Sequence, residues 1–253
     1  MKISAYQEDL LSDTERLAVF FEAIANQARG MVYDLGTGSG VLAAKAAELA
    51  DHVYAVEKNE FSARTALNRL SHFNNVSVLV GDAGRMHFPE KADLIICEML
   101  DTGLIDEDLI PVLNHARPYL KEGGHIIPCE ILNGVEPINL HAGHLCYQEG
   151  SVKYLEVMGP LNVYNRLNLM KEIDEQVDLS LKLKINSNGE VNGIRLTTFT
   201  LLTPDIICGP TPMLNPPLLI PTNTQDVLEN QILSLNLKYV MGGGLDTIEA
   251  RIN

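Results

Sequence analysis

The sequence predicts an α/β fold with a β-rich second half, and three observations carry that expectation. A short strand at residues 31–35 runs through three alternating glycines, Gly36, Gly38 and Gly40, directly into an Ala-rich helical stretch at 41–50. Short apolar runs then alternate with helical intervals as far as residue 128. Beyond Pro128 the helical patterns fade and period-two alternation replaces them. Strands that alternate with helices form a parallel sheet covered on both faces, whereas alternation bounded by turn residues forms antiparallel hairpins. Two units are therefore expected, residues 1–128 and 129–253.

Each element has its own signal. Ser12-Asp13-Thr14-Glu15 reads as a capping box, with Ser12 as the cap, and opens a helix whose Leu17, Phe20, Phe21 and Ile24 recur at helical spacing. Arg29-Gly30 closes that segment. After the glycine loop come strands at 53–56, 76–80, 94–97 and 125–127, with helices at 60–70 and 107–120 between them. In the second half, the alternating run 177–185 is expected to pair with 194–202 through the turn 186–190. Residues 232–240 and 245–252 make a second hairpin about Gly242, Gly243 and Gly244. The Pro-rich piece 203–221 is excluded from a central sheet, since each proline lacks a ladder donor, and is read as a connection or a lid.

Composition narrows the function. The chain has 253 residues of which 46% are hydrophobic, enough to bury a substantial core. A formal net charge of −14 argues against a nucleic-acid backbone as partner and suits a cationic substrate. The longest apolar runs are too short to span a membrane, and Met1-Lys2-Ile3-Ser4 followed by acids is no signal peptide. Cys97, Cys129, Cys146 and Cys208 lack C-x-x-C or metal spacing, so reduced thiols, no metal and a cytoplasmic location are expected. His141 and His144 near Cys146 read as a surface turn.

The glycine loop and the strand ends point to a nucleoside ligand. The spacing is G-x-G-x-G, not the G-x-G-x-x-G of dinucleotide sites, so a ligand other than NAD is expected. Asp34 precedes the loop at the C-terminal edge of the sheet, where open α/β sheets bind ligands, and suits an ammonium group. Glu57 ends the next strand 23 residues later, at the place of an acid that accepts both hydroxyls of a ribose. Asp82-Ala83 ends the third strand and is placed to meet an adenine edge.

The fourth strand leads into Glu98-Met99-Leu100-Asp101-Thr102-Gly103-Leu104-Ile105-Asp106-Glu107, with two glutamates nine residues apart. Here the sequence resembles the protein arginine N-methyltransferases. The likeness also covers Leu11-Ser12-Asp13-Thr14-Glu15-Arg16, the loop from Asp34 to Gly40, Glu57 and residues 120–128, and extends loosely over the β-rich half. It implies a Rossmann-like class I methyltransferase sheet followed by a β-rich barrel-like domain. It also implies S-adenosylmethionine as cofactor and methyl transfer to a guanidino nitrogen, of an arginine residue or of free arginine. By the resemblance Arg16 pairs with the cofactor carboxylate. Asp34, Gly36, Thr37, Gly38 and Gly40 hold its methionine end, Glu57 its ribose, and Asp82 and Ala83 lie near its adenine. Glu98 and Glu107 are the implied catalytic pair. The physics agrees: a guanidinium is planar, always charged and carries five donors, so two carboxylates hold it by charge-assisted hydrogen bonds.

The sequence departs from that family on the acceptor side. Only Tyr6 stands upstream where the family has a tyrosine-bearing helix, no Thr-His-Trp loop is visible, and its place reads Pro212-Met213-Leu214-Asn215-Pro216-Pro217. Asp101 and Thr102 stand where the family prefers Gly and Tyr. These changes point to a different or smaller acceptor. Methylation of a non-guanidino small metabolite, or a catalytically silent cofactor-binding subunit, stays open beside the guanidino reading, as does a homodimer.

Overall fold

The computed structural model describes residues 12–141, 143–148 and 155–253. Tyr6 and Leu11 of the upstream segment lie outside the described residues. The first described helix, α1 (Thr14–Gln27), is capped by Asp13, whose Oδ1 accepts the Arg16 N–H at 3.0 Å. Ser12 is therefore not the cap. Asp13 is held in that role from far along the chain, because its Oδ2 accepts the Thr211 hydroxyl and, at 3.1 Å, the Met213 N–H. Phe20 and Ile24 of α1 are fully buried, while Leu17 and Phe21 pack at the margin of the same core.

Strands β1 (Met31–Leu35), β2 (His52–Glu57), β3 (Val76–Val80), β4 (Ala92–Cys97) and β5 (Leu120–Ile127) form a parallel sheet in the order β3-β2-β1-β4-β5. Helices α2 (Val41–Ala47) and α3 (Glu60–Leu70) make the crossovers after β1 and β2, and α4 (Leu109–Ala116) precedes β5. Alternation along the strands sends side chains to two cores. Val32, Leu94 and Ile96 pack with α1, α2 and α3, while Tyr33, Leu35 and Ile95 pack with α4 and the second half of the chain. The helix expected over 107–120 is shorter, since Pro118 follows α4 and the chain tightens into a 3-10 turn at Arg117–Tyr119 before β5. No helix among the described residues is long and apolar enough to cross a membrane.

From Glu130 onward the chain is antiparallel. One sheet contains β6 (Glu130–Leu140), β7 (Cys146–Tyr147), β8 (Leu155–Val157), β9 (Asn162–Asn168), β11 (Gly189–Thr203), β12 (Ile206–Cys208) and β13 (Leu218–Val227). The other contains β10 (Gln176–Lys184), β14 (Ile232–Val240) and β15 (Glu249–Ile252). Leu183, Leu235 and Leu237 of the small sheet share a core with Val135, Ile194 and Leu196 of the large one.

Two expectations are corrected here. The run 177–185 does not pair with 194–202: β10 lies along β14 from Gln176↔Val240 to Lys184↔Ile232, and β11 lies between β6 and β13. Alternation fixes which face of a strand is apolar but not which strand it meets. The Pro-rich segment also contributes to a sheet, because Leu218, Leu219 and Ile220 begin β13 and Pro221 stands opposite Gly193 of β11. The second hairpin, β14 with β15, forms about Gly242 to Gly244.

Candidate active site

The chain runs from β1 through β3 on one side of the parallel sheet and then returns to β4 on the other, so the C-terminal ends of β1 and β4 part and leave a crevice. A cleft of ≈ 280 Å³ occupies that position. Arg16, Asp34, Gly36, Thr37, Gly38, Glu57, Asp82, Ala83, Glu98 and Glu107 all line it. Of the residues singled out in the sequence, Gly40 alone does not. It caps α2 with φ +80°, and a Cβ there would stand 3.0 Å from Leu70 Cδ1 and 3.3 Å from Ala66 Cα, so its visible role is to let α2 and α3 approach.

The glycine loop turns β1 into α2 with open space at Gly38. Gly38 has φ +56°, a Cβ added there would meet nothing closer than the Gly36 carbonyl at 3.9 Å, and its N–H donates to Glu57 Oε2 at 2.9 Å. Glu57 Oε1 accepts the Asn59 N–H at 2.8 Å, so this carboxylate is fixed on both oxygens at the end of β2. Asp34, 1% exposed, accepts the Thr37 hydroxyl at 2.5 Å. Burial pushes its carboxyl up to about 6, against the lowering effect of the Thr37 and Ala43 hydrogen bonds. Asp82 is half exposed, accepts the Gly84 N–H at 2.9 Å and approaches Arg85 at 3.4 Å.

The two glutamates come from the ends of one loop. Glu98 leaves β4 and pairs with Arg16, Nη1 to Oε1 at 2.9 Å, with side-chain exposures of 2% for Arg16 and 17% for Glu98. Burial raises the Glu98 carboxyl to about 7; Arg16 opposes this, while Asp34 and Glu107 add to it. Glu107 is also raised, first by burial and then by Asp106 and Asp108, with Lys58 acting against them. Lys58 meets Asp108 at 3.1 Å across the cleft mouth. Six carboxylates thus line the cleft, Asp34, Glu57, Asp82, Glu98, Glu107 and Asp108, against the two cations Arg16 and Lys58. Such a cleft favours a cationic occupant.

Sequence reasoning passed over the residue that organises this loop. Asp101 is 6% exposed and accepts the backbone N–H groups of Ile105 at 3.1 Å, Asp106 at 3.0 Å and Glu107 at 3.2 Å, together with the Tyr147 hydroxyl at 3.3 Å. Burial raises its carboxyl to about 6 despite those three amides. The second half of the chain braces the loop from outside: Gly103 N–H donates to Thr198 Oγ1 at 2.8 Å, and Thr102 Oγ1 donates to the Pro216 carbonyl at 2.8 Å. The turn between β14 and β15 does the same, with Gly242 N–H on the Leu104 carbonyl and Gly244 N–H on the Ile105 carbonyl, each at 2.9 Å. The available signal was an aspartate close to a glycine, Asp101-Thr102-Gly103, between the two glutamates. Among the described residues no group of three His, Cys, Asp or Glu is gathered for a metal ion.

Residues 32–124 match the family model described as a methyltransferase domain. An uncharacterized protein of Methanothermobacter thermautotrophicus is 44% identical over 251 residues, 99% of this chain and 98% of that protein. Protein arginine N-methyltransferase PRMT10 of Arabidopsis thaliana is 34% identical over 143 residues, 53% of this chain and 37% of the plant protein. The crystal structure of Arabidopsis thaliana protein arginine methyltransferase 10 superimposes with a TM-score of 0.78 at 19% identity, covering 98% of this chain and 96% of that one, which shows a shared fold. The chain belongs to the family of the full-length Methanothermobacter relative, and it is a class I S-adenosylmethionine-dependent methyltransferase built like the protein arginine methyltransferases.

Proposed function

We propose that this methyltransferase acts on a guanidino nitrogen, of arginine in a protein or peptide or of free arginine and its small relatives. The observation that carries the reading is that Glu98 and Glu107 line the same cleft as Gly38, Asp34 and Glu57. A cofactor loop and two desolvated carboxylates in one crevice are what a guanidinium acceptor requires.

The residues present fit the cofactor. Gly38 leaves open space where any other residue would place a Cβ, and Glu57 is held by two backbone N–H groups with lone pairs left for a ribose diol. In this reading Arg16, Asp34 and residues 36–38 receive the methionine end, Glu57 the ribose, and Asp82 and Ala83 the adenine. When bound, S-adenosylmethionine supplies an electrophilic methyl group on a sulfonium. The protein contributes placement and charge. Glu98, already oriented by Arg16, and Glu107 grip the guanidinium from the two ends of the loop and aim one nitrogen. Their negative charge supports that nitrogen as it attacks. The nitrogen sheds a proton as it gains the methyl group, and Glu98, whose carboxyl burial raises above the ordinary range, takes that proton.

Glu98→Gln and Glu107→Gln test the assignment. Each is expected to lower kcat/KM on guanidino acceptors about 100-fold or more, while the cofactor Kd of Glu107→Gln stays near that of the native protein. Native turnover in both variants would contradict it.

A further inference from the structure

Glu107 stands two residues before α4, near the end of the eleven-residue connection from β4, so something must set its direction. Its own backbone N–H is the group that answers. It donates to Asp101 Oδ1, while Ile105 and Asp106 donate to Asp101 Oδ2. A single buried carboxylate therefore stands in the concavity of three successive amides and curls the chain about itself. The conformation it holds is not one the chain adopts freely, since Gly103 has φ +77° and Leu104, which bears a side chain, has φ +60°. The outward carbonyls of Leu104 and Ile105 are taken by Gly242 and Gly244, so the loop is gripped on both edges. Tyr147 brings the antiparallel domain to the same point through its hydroxyl on Asp101 Oδ2.

We propose that Asp101 is a positioning residue for methyl transfer: it fixes the loop from Gly103 to Glu107 and so sets where the Glu107 carboxylate stands in the acceptor cleft, with Tyr147 coupling the antiparallel domain to that placement. The proposal rests on the guanidino reading above for the meaning of Glu107, but the loop geometry stands apart from it. Asp101 touches no reacting atom. It acts through the backbone of Glu107. A misplacement of about 1 Å at a group that orients a reactant costs on the order of 100-fold in rate.

The test compares Asp101→Gly, Asp101→Asn and Tyr147→Phe with the native chain, measuring kcat and KM for a guanidino acceptor, cofactor Kd, and amide hydrogen exchange at residues 105–107. Asp101→Gly is expected to lower kcat/KM about 100-fold, to leave cofactor Kd within about threefold, and to speed exchange at 105–107 without speeding it in β4. Asp101→Asn retains one oxygen for Ile105 and Asp106 but turns its NH2 toward the Glu107 N–H, so it falls between. Tyr147→Phe removes one donor and is expected to cost less than either. Native turnover in Asp101→Gly, unchanged exchange at 105–107, or a loss of cofactor binding equal to the loss of rate would overturn the proposal. If Asp101→Gly does not fold, the graded order of Asp101→Asn and Tyr147→Phe decides. If the native protein methylates no guanidino acceptor, the reading of the substrate fails, and the exchange at 105–107 still decides whether Asp101 sets the loop.

Discussion

Arg16 and Glu98 form an ion pair in the lining of the cleft, 2.9 Å from Nη1 to Oε1, joining the buried guanidinium of helix α1 to the partly buried carboxylate at the end of β4. The pair gives one of the two loop glutamates a fixed orientation before any acceptor arrives. It also couples the proposed cofactor end of the cleft to the proposed acceptor end.

Removing one partner of that pair leaves a charge in a desolvated place. Arg16→Met is expected to destabilise the fold by about 3 kcal/mol, a loss that Glu98 moderates by taking up a proton. The double variant Arg16→Met/Glu98→Gln is expected to recover part of it. Urea unfolding of the four members of the cycle measures the coupling, and additive losses would show that the two side chains do not depend on each other.

The carboxyls of Asp34 and Asp101 at about 6, and of Glu98 at about 7, lie above the ordinary carboxylate range of about 4. The folded protein therefore keeps protons that the unfolded chain has already released. Stability without ligand is expected to fall as pH rises from about 4 to about 7 and then to level off. Asp34→Asn, which keeps an oxygen for the Thr37 hydroxyl, is expected to reduce that slope in pH-dependent urea unfolding. Binding of a cationic ligand favours the carboxylates, so it is expected to release protons in the same window, which calorimetry in buffers of different ionisation enthalpy reads directly. Proton uptake on binding would reverse the assignment.

Gly38 and Gly40 both have positive φ but face different surroundings. Alanine at either position meets about 1 kcal/mol of backbone strain. Gly40→Ala adds contact with Leu70 and Ala66 and is expected to lower the unfolding temperature more. Gly38→Ala places its methyl in the open space of the cleft and is expected to weaken cofactor binding more. Equal effects on both readouts would remove the distinction between a ligand-facing and a packing glycine.

Much of the parallel sheet was legible because its signals are local. The helix Glu60–Leu70 and the strand Val76–Val80 fall where periodicity placed them, and the glycine loop announces itself by three residues that all take positive φ. The partner of β10 was not legible, since its alternating pattern suits β14 and β11 equally and pairing is decided by the shared core. Asp13 was hidden for a related reason: Ser12 and Asp13 are both good caps, and the choice is made by Thr211 and Met213, about 200 residues away. The part played by Asp101 depends on loop dihedrals at Gly103 and Leu104 that no periodicity encodes.

The most direct measurement is transfer of a labelled methyl group from S-adenosylmethionine, offered to free arginine, to an arginine-containing peptide and to a lysine-containing control. Label on a guanidino nitrogen, free or peptidyl, that is lost in Glu107→Gln is the expected result and fixes the size of the acceptor. Firm cofactor binding with no label on either guanidino compound would contradict the two-glutamate reading of the cleft.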